Sequence, residues 1–401
     1  MRHELALRAS DVVGAGRLAF DAVIGLTDVV ESMHGTISRR PFPVGTIADT
    51  RTRGITRRVY QSIRLITRLL EAGLETAQSL FTLPAGGRSS SRRRETLLSV
   101  LNGVVGDHLA ATDNPLAIPM RLRREGDAPD LDRDLLTAPL KRQRGRVMVL
   151  VHGLCMNDLQ WKRRGHDHGR ALEREHGFAP VYLHYNTGRH VSLNGRDLTQ
   201  ALEAMVEVSR VPVEELVLLG HSMGGLVIRS ACHQGHLAGH RWTERLSKLI
   251  FLGTPHHGAP LERAGNLLDR LLEVSPYAAP LTRIGGNRAA GINDLRFGNV
   301  LDEDWANRHR RYRVDPRTPV PLPEGVGCYA IAASRGRKRG DAVDALLGDG
   351  LVPVTSALGI HPEPRFRLAF PPAHQRVFFQ TDHFDLLDSP AVYAQLAQWL
   401  A

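Results

Sequence analysis

The sequence predicts an α/β fold, a mostly parallel sheet with helices on both faces. Two observations support this prediction. From about residue 115 onward, short apolar runs alternate with amphipathic stretches, and 42% of the 401 residues are hydrophobic, which is enough for a large core. Strands that alternate with helices form βαβ units, whose crossover helices cover both faces of a sheet. The candidate strands are Ile118–Arg123, Arg146–Val151, Pro180–His184, Leu216–Leu219, Lys248–Leu252, Gly327–Ala333 and Arg376–Gln380, and the candidate helices include Leu198–Val208, Gly225–Gln234 and Ala391–Leu400.

Two regions depart from this alternation. Residues 1–114 have a helical pattern and form a predicted amphipathic extension, separate from the main domain at 115–401. Polar residues at spacings of three and four leave these helices a wide apolar face. Residues 259–326 lack a convincing core strand and are expected to form a cap or lid insertion. The helices predicted in the two regions are Val12–Val30, Ile55–Phe81, Glu95–Ala111 and, in the insertion, Leu261–Val274.

Positive charge dominates the composition. The chain has 52 Lys and Arg against 42 Asp and Glu, a net charge of +10, and residues 1–100 alone carry 15 Arg and 9 acidic residues. Basic proteins often bind nucleic acid or anionic membranes. The sequence contains no recognisable nucleic-acid-binding module and no aromatic residues interleaved with the basic ones, so we expect no nucleic-acid partner.

The cysteines and the hydropathy pattern indicate the expected cellular compartment and whether a metal is expected. Cys155, Cys232 and Cys328 are odd in number and far apart, which argues against a disulfide framework and against CxxC metal sites. The sequence has no apolar run of 18 residues and no secretory signal with a clean apolar core. We therefore expect a cytoplasmic protein without a metal, although the scattered aspartates leave a calcium site open.

The most informative motif is a serine flanked by glycines. The apolar run Leu216–Leu219 leads into Gly220-His221-Ser222-Met223-Gly224, and an apolar helical pattern follows at once. A G-x-S-x-G motif between a strand and a helix is a nucleophile elbow, whose strained turn exposes the serine hydroxyl at the carboxyl edge of the sheet. Small flanking residues let the helix and the strand approach closely. Ser222 is therefore the predicted nucleophile.

A serine nucleophile needs a base to take its proton and an acid to orient that base. Of the 19 histidines, His383 lies just after the last candidate strand, where a loop at the sheet edge would carry the base. Asp349 lies between glycines, and between the serine and the histidine in the chain, which keeps the order Ser, acid, His. His361 and His374 are alternative bases, and Asp341, Asp344 and Asp382 are alternative acids.

The chemistry also needs two backbone N–H donors for the oxyanion. One is the amide of Met223, the residue after the nucleophile. The other is expected at Leu154, because His152-Gly153 ends an apolar strand and the glycine lets the backbone turn its amide toward the site. Cys155 is adjacent but has no partner at motif spacing, so it is not expected to compete as a nucleophile.

These motifs together resemble the α/β-hydrolase superfamily, in particular its branch of lipases and GPI-inositol-deacylase-like proteins. The resemblance extends from about Ile118 to Ala401. It rests on five segments: His152-Gly153, Gly220-His-Ser-Met-Gly224, Leu252-Gly-Thr-Pro-His-His-Gly258, Asp349-Gly-Leu-Val-Pro353 and Asp382-His383-Phe384.

The resemblance implies an α/β-hydrolase fold with Ser222, Asp349 and His383 as nucleophile, acid and base. It also implies an oxyanion hole formed by the amides of Leu154 and Met223, and residues 259–326 as the lid. The pocket-lining or structural residues would be His152, Gly153, His221, His256 and His257.

The implied activity is hydrolysis of carboxylic esters, lipid-like ones in particular, through an acyl-enzyme and without a cofactor. A thioesterase or acyltransferase would use the same serine, and triad chemistry alone does not distinguish these classes. A non-catalytic lipid-binding protein is the remaining alternative, although such a protein would be expected to lack a triad residue.

The amphipathic extension lies outside the resemblance. Its apolar faces either pack on the hydrolase domain or on each other, or they bind a membrane or lipid-droplet surface through residues 1–83. Basic amphipathic helices bind anionic interfaces, which would suit an enzyme that acts on insoluble esters.

Overall fold

The structure is a computed structural model of the chain. It describes residues 10–18 except 12, 92–124, 133–259, 289–306, 315–338 and 348–401. The chain divides into two compact units, one formed by Met1–Ser91 and Leu109–Ala117 and the other by Arg92–His108 and Ile118–Ala401. In the described part of the first unit, Asn114 Nδ2 donates a hydrogen bond to the carbonyl of Gly14 at 3.1 Å.

The second unit contains a seven-stranded sheet in the order β1-β3-β2-β4-β5-β6-β7. Strand β1 pairs antiparallel with β3, and every other neighbouring pair is parallel. The parallel strands therefore end at one common carboxyl edge. The strands are β1 Arg121–Arg123, β2 Arg146–Val151, β3 Ala179–His184, β4 Glu215–His221, β5 Leu246–Leu252, β6 Gly327–Ser334 and β7 Gln375–Phe379.

Helices connect most of the strands. The described helices are α1 Arg92–Ala111, α2 Arg133–Arg142, α3 His168–His176, α4 Val191–Val208, α5 Met223–Ala238, α6 Trp242–Arg245, α7 Ala290–Phe297, α8 Asp302–Ala306, α9 Val354–Ala357 and α10 Pro390–Leu400. None of the helices in the described ranges is long and apolar enough to span a bilayer.

All seven predicted strands are present; β2 has the predicted bounds, and the other six are shifted at one or both ends. Strand β4 extends to His221, two residues beyond the predicted end, and β1 begins three residues after Ile118. Helices α2, α3 and α6 to α9 were not predicted. Pro139 lies within α2, charged residues are frequent in α3, and α6, α8 and α9 are only four or five residues long. The predicted helices Val12–Val30, over most of its length, Ile55–Phe81 and Leu261–Val274 lie outside the described residues.

Alternate residues of strand β2 belong to two hydrophobic cores, one on each face of the sheet. Both faces are buried, which explains why the strand is a continuous apolar run rather than an alternating one. The first core includes Val147, Val149, Val151, Leu198 and Leu226, and the second includes Met148, Leu150, Leu172 and Leu396. Helices α4 and α5 thus cover one face, and α3 and α10 cover the other.

The start of helix α5 packs against the end of β2 with no room for a side chain. A Cβ added at Gly224 would lie 2.2 Å from the carbonyl oxygen of Val151 and 2.7 Å from that of His152. Backbone atoms cannot move aside as a flexible side chain can. The glycine is therefore required for the helix to begin where it does.

We expect Gly224→Ala to lower the free energy of unfolding by about 1–3 kcal/mol, because the methyl group would push α5 away from β2. Urea unfolding of the purified protein measures the change. Gly239→Asn is the matched control: Gly239 has a left-handed backbone with φ of 65° and open space around its Cα, and asparagine tolerates that conformation. A loss for Gly224→Ala no greater than the control's would contradict this account of the packing.

Candidate active site

Ser222 occupies a strained turn between β4 and α5. Its backbone has φ of 54° and ψ of −126°, which a non-glycine residue adopts only when the surrounding structure enforces it. Its amide donates to the carbonyl of Leu252 at the end of β5, at 2.9 Å. Close packing holds the turn, since a Cβ on Gly220 would lie 2.7 Å from the Gly225 backbone and one on Gly225 would lie 2.0 Å from Thr254 Oγ1. The predicted elbow is thus present, strained, at the carboxyl edge of the sheet.

Asp349 and His383 form a buried hydrogen-bonded pair. His383 Nδ1 lies 2.7 Å from Asp349 Oδ2, and both side chains are almost fully buried. The other carboxylate oxygen, Oδ1, accepts from the amides of Leu351 at 2.9 Å and Val352 at 2.8 Å. Because a carboxylate only accepts, Nδ1 carries the imidazole proton and Nε2 is left with its lone pair.

The pair lies against the strand ends that position Ser222. A Cβ added at Gly253, directly after β5, would lie 3.2 Å from both Asp349 Oδ2 and His383 Cε1. The rings of His221 and His383 are 4.7 Å apart, and His221 Nε2 lies 3.2 Å from the His383 carbonyl oxygen. Since His221 directly precedes Ser222, the structure brings the three predicted residues Ser222, Asp349 and His383 to the same edge.

The loop after β2 approaches the serine from the other side. A Cβ added at Gly153 would lie 3.0 Å from Ser222 Cβ, so the backbone that leads into Leu154 lies against the Ser222 side chain. Among the residues that the structure describes, the amides of Leu154 and Met223 have no intramolecular acceptor, whereas the neighbouring amide of Cys155 donates to Thr187 Oγ1 at 3.1 Å. Two free N–H donors next to Ser222 are what an oxyanion hole requires.

The hydroxyl of Tyr185 supports this loop by donating to the His152 carbonyl at 2.8 Å. Neither Tyr185 nor Thr187 was a predicted site residue. Both lie within three residues of the end of β3. Its parallel neighbour β2 leads into residues 152–156, which we call the oxyanion loop after its predicted role. That position at the carboxyl edge is the signal that could have identified Tyr185 and Thr187.

Buried histidines surround the site, and burial keeps them neutral. The pKa of His152 is lowered to about 3, and the pKa values of His221 and His256 fall well below the usual range, because burial penalises the charged ring. The pKa of His257 is lowered to about 4, again mainly by burial. Both nitrogens of His256 lack partners among the described residues, and its ring packs edge-on against Phe251 at 4.8 Å. These histidines are therefore uncharged neighbours of the site, and the structural or pocket-lining role of His256 and His257 stays a prediction.

The alternative bases and acid lie elsewhere. His361 packs 4.8 Å from the His257 ring, and His374 stacks on Tyr329 at 4.1 Å. Asp382 lies 3.9 Å from Arg335 at the surface, and Asp341 and Asp344 lie outside the described residues. No histidine other than His383 is hydrogen-bonded to Asp349 in the described ranges.

A cleft of about 250 Å³ begins beside the oxyanion loop. Its walls are largely apolar, and we call it the apolar cleft. It is lined by Val100, Cys155, Met156, Leu159, Phe384 and Leu387, with Arg92, Thr96, Gln160, Lys162 and Arg163 around them. Cys155 and Met156 follow the predicted oxyanion donor, and Phe384 follows the predicted base, so the cleft adjoins the site on both sides.

The strand order, the elbow after β4 and the acid and histidine after β6 and β7 define an α/β-hydrolase fold. Residues 142–285 match the family model described as the PGAP1-like alpha/beta domain. The predicted resemblance is thereby confirmed. The matched range contains Ser222 and the oxyanion loop, while Asp349 and His383 lie beyond it. Comparison with curated protein sequences gave no match.

Several solved structures are similar in fold. The mature lipase BlEst2 of Bacillus licheniformis is 18% identical, with a TM-score of 0.41, over 71% of this chain and 98% of the lipase. Lipase B of Aspergillus fumigatus is 15% identical, with a TM-score of 0.35, over 63% of this chain and 52% of the lipase. The thioesterase RedJ from the prodiginine pathway of Streptomyces coelicolor is 15% identical, with a TM-score of 0.35, over 64% and 89%. At such identities the likeness does not extend to substrate.

The buried neutral histidines make stability dependent on pH. In the unfolded chain they protonate near pH 6.5, whereas in the fold His152 protonates only near pH 3 and His168, also buried, near pH 4, because their pKa values are lowered. Between pH 6.5 and about 4 the unfolded state therefore binds more protons, and stability falls as the pH falls. Each such histidine contributes a slope of about 1.4 kcal/mol per pH unit in the middle of this window.

We expect urea unfolding at pH 7.5, 6, 5 and 4.5 to show this loss. His256→Leu should flatten the slope by about 1.4 kcal/mol per pH unit, because it removes one histidine whose ring makes no hydrogen bond among the described residues. A slope equal to that of the original protein would mean that His256 is protonated in the fold.

Substitutions of Asp349 give a second stability prediction, which distinguishes the contributions of its two carboxylate oxygens. Asp349→Ala leaves the amides of Leu351 and Val352 and the Nδ1 proton of His383 buried without acceptors, and we expect a loss of about 3–5 kcal/mol. Asp349→Asn keeps an acceptor for the two amides and should lose only about 1–2 kcal/mol. Thermal and urea unfolding compare the two variants, and equal losses would contradict the assigned hydrogen bonds.

Proposed function

We propose that this protein is a serine hydrolase that cleaves carboxylic esters with an apolar acyl part through an acyl-enzyme on Ser222. The observation that carries the proposal is the buried Asp349–His383 pair at the strand edge where Ser222 is held at a positive φ, beside two amides without acceptors. The positive φ of Ser222 costs stability, as strained backbone does, and together the three features suit one chemistry, acyl transfer.

In this proposal His383 Nε2 accepts the proton of Ser222 while Oγ attacks the ester carbonyl carbon. Asp349 holds the imidazole in the tautomer with Nδ1 protonated and stabilises the imidazolium that forms. The amides of Leu154 and Met223 bind the tetrahedral oxyanion, and Met223 adds the favourable field of the α5 N-terminus. His383 then returns its proton to the leaving oxygen, and water repeats the sequence on the acyl-enzyme.

The apolar cleft supports an acyl or alkyl group as the bound part of the substrate. Its volume of about 250 Å³ is suited to a short chain or to part of a longer one. Its wall contains Met156, an adaptable side chain that fits irregular apolar ligands.

Cys155 is an unsuitable nucleophile in this setting. It is adjacent to the oxyanion loop, yet it is buried, and burial raises the pKa of its thiol to about 12. A cysteine nucleophile needs the thiolate, which this environment disfavours. The location in the cytoplasm and the lipid-surface role of residues 1–83 remain predictions from the sequence.

Ser222→Ala is expected to abolish hydrolysis of p-nitrophenyl esters, with a fall in kcat of at least about 10⁴-fold and an unchanged unfolding midpoint. It should also abolish labelling by a fluorophosphonate probe. Ser247→Ala is the matched control, because Ser247 lies at the opposite end of β5, where its hydroxyl contacts Glu215 at 2.9 Å. Activity of Ser222→Ala close to that of Ser247→Ala would refute the proposal. Asp349→Asn, which keeps most of the fold's stability, should lower kcat by a comparable factor.

A further inference from the structure

A small polar cavity lies between helix α5 and the segment that follows β5. Its volume is about 20 Å³. A buried water needs about 10–15 Å³ of such space, so the cavity has room for one water or one monoatomic ion and excludes groups of several heavy atoms. We call it the arginine cavity. Its wall includes Arg229 of α5, His256, Gly298, Asp304 of α8, Arg317 and Val320.

The guanidinium of Arg229 is a buried charge without a close counterion. Burial lowers its pKa to about 10, so the group is still protonated at neutral pH. Its Nη2 donates to the Val320 carbonyl at 2.7 Å, whereas Nε is buried and has no acceptor in the described part of the chain. None of the salt bridges between described residues involves Arg229. A buried charge with an unsatisfied donor is unfavourable, and this position therefore favours a ligand that accepts.

The second cation in the wall, Arg317, is fully engaged by the protein. Its Nε donates to Asp315 Oδ1 at 3.0 Å, and its Nη2 donates to Asp315 Oδ2 at 2.6 Å. Its Nη1 donates to the carbonyls of Gly298 at 3.2 Å and His256 at 3.3 Å. The positive charge of Arg317 lowers the pKa of Arg229, so the two guanidinium groups repel each other across the cavity.

The acceptors of the wall are engaged as well. Asp304 Oδ2 accepts from the amides of Val300 at 2.9 Å and Leu301 at 3.0 Å, and Oδ1 accepts from the amide of Thr318 at 2.9 Å. The carboxylate favours the protonated form of Arg229 electrostatically, without forming a salt bridge to it. The carboxylate is thus directed to backbone donors, as the carbonyls in the wall are directed to arginine donors.

His256 supplies a further donor. The side chain is fully buried, and neither ring nitrogen has a partner among the described residues. Burial, together with the charge of Arg229, holds the pKa of His256 well below its usual range, so the ring is neutral. A neutral imidazole carries one N–H. The wall therefore combines two buried side chains with unsatisfied donors, Arg229 and His256, in a cavity of the size of one ion.

We propose that the arginine cavity binds one monoatomic anion, chloride, held by Arg229 and His256. A water in the same place would need acceptors for its own hydrogens, and the carboxylate and carbonyls of the wall already accept from protein donors. An anion only accepts, and its charge offsets the repulsion between the two guanidinium groups.

The proposed anion would have a structural role. Arg229 lies about two helical turns after Ser222 on α5, and His256 belongs to the segment after β5, whose Leu252 carbonyl accepts from the Ser222 amide at 2.9 Å. An ion held by both would tie the helix to that segment behind the serine turn. It would take no part in chemistry, so this inference does not depend on the hydrolase function proposed above.

The test compares the thermal unfolding midpoint of the full chain in sodium chloride and in sodium gluconate, both at an ionic strength of about 0.3 M so that screening is equal. Gluconate is too large for the cavity. We expect chloride in place of gluconate to raise the midpoint by at least about 2 °C and the rise to level off, because the ligand stabilises only the folded state. Sodium bromide should have a similar effect.

Arg229→Gln removes the buried cation and should abolish the difference between the two salts. Arg146→Gln is the matched control, because Arg146 pairs with Glu215 at 2.7 Å at the start of β2, away from the cavity. It should keep the whole chloride effect, whatever its own stability. Equal midpoints in chloride and gluconate for the original protein would overturn the site. A chloride effect of the same size in Arg229→Gln and Arg146→Gln would also overturn it.

Anomalous diffraction from bromide-soaked crystals of the original protein locates the ion directly. A peak between Arg229 and His256 supports the site, and peaks confined to surface arginines, adventitious ions only, overturn it. If Arg229→Gln does not fold, His256→Leu takes its place in the salt comparison. Loss of the histidine donor should raise the chloride concentration of half-maximal effect about tenfold, and an unchanged concentration would overturn the two-donor site.

Discussion

The close approach of two backbones at the serine turn is the constraint on which the rest of this structure depends. Gly220 and Gly225 touch without room for a Cβ between them, and Gly224 lies under the carbonyl of Val151. This contact brings helix α5 close enough to the sheet to force Ser222 into a positive φ. The same contact leaves the first amide of α5 free and places the loop after β2 beside the serine. Without it, neither the proposed nucleophile nor the two amides proposed to bind the oxyanion would be positioned.

Few uncompensated charges are buried near the proposed triad. Asp349 is fully buried, and two backbone amides and one imidazole satisfy its oxygens. Burial lowers the pKa values of the histidines buried near it, such as His152 and His221, so these add no competing charge. Farther from the proposed triad, the exposed cations Arg92, Lys162 and Arg174 line one cleft. The surroundings thus change from buried histidines without charge, next to the Asp349 carboxylate, to exposed cations away from it.

The sequence was most informative where one local pattern has one physical solution. A glycine-flanked serine between an apolar strand and an apolar helix can form only a tight elbow, and Ser222 lies in one. Asp349 and His383 were less constrained, because several acids and histidines satisfied the same chain order, and only their 2.7 Å contact distinguishes them. Tyr185 and Thr187 were not predicted, because a hydroxyl that supports a loop distant in the chain requires no particular residue types beside it in the sequence.

The amino-acid sequence by itself determined the strand-and-helix alternation, the seven strands and the position of the elbow, because buried parallel strands and close-packed glycines impose patterns on neighbouring residues. Strand order, the pairing of His383 with Asp349 and the meeting of Arg92, Lys162 and Arg174 at one cleft were decided only by the tertiary structure. The reason is that these relations join residues far apart in the chain. The free energies of these contacts depend on burial and charge in the folded protein, and patterns of neighbouring residues in the sequence do not show either.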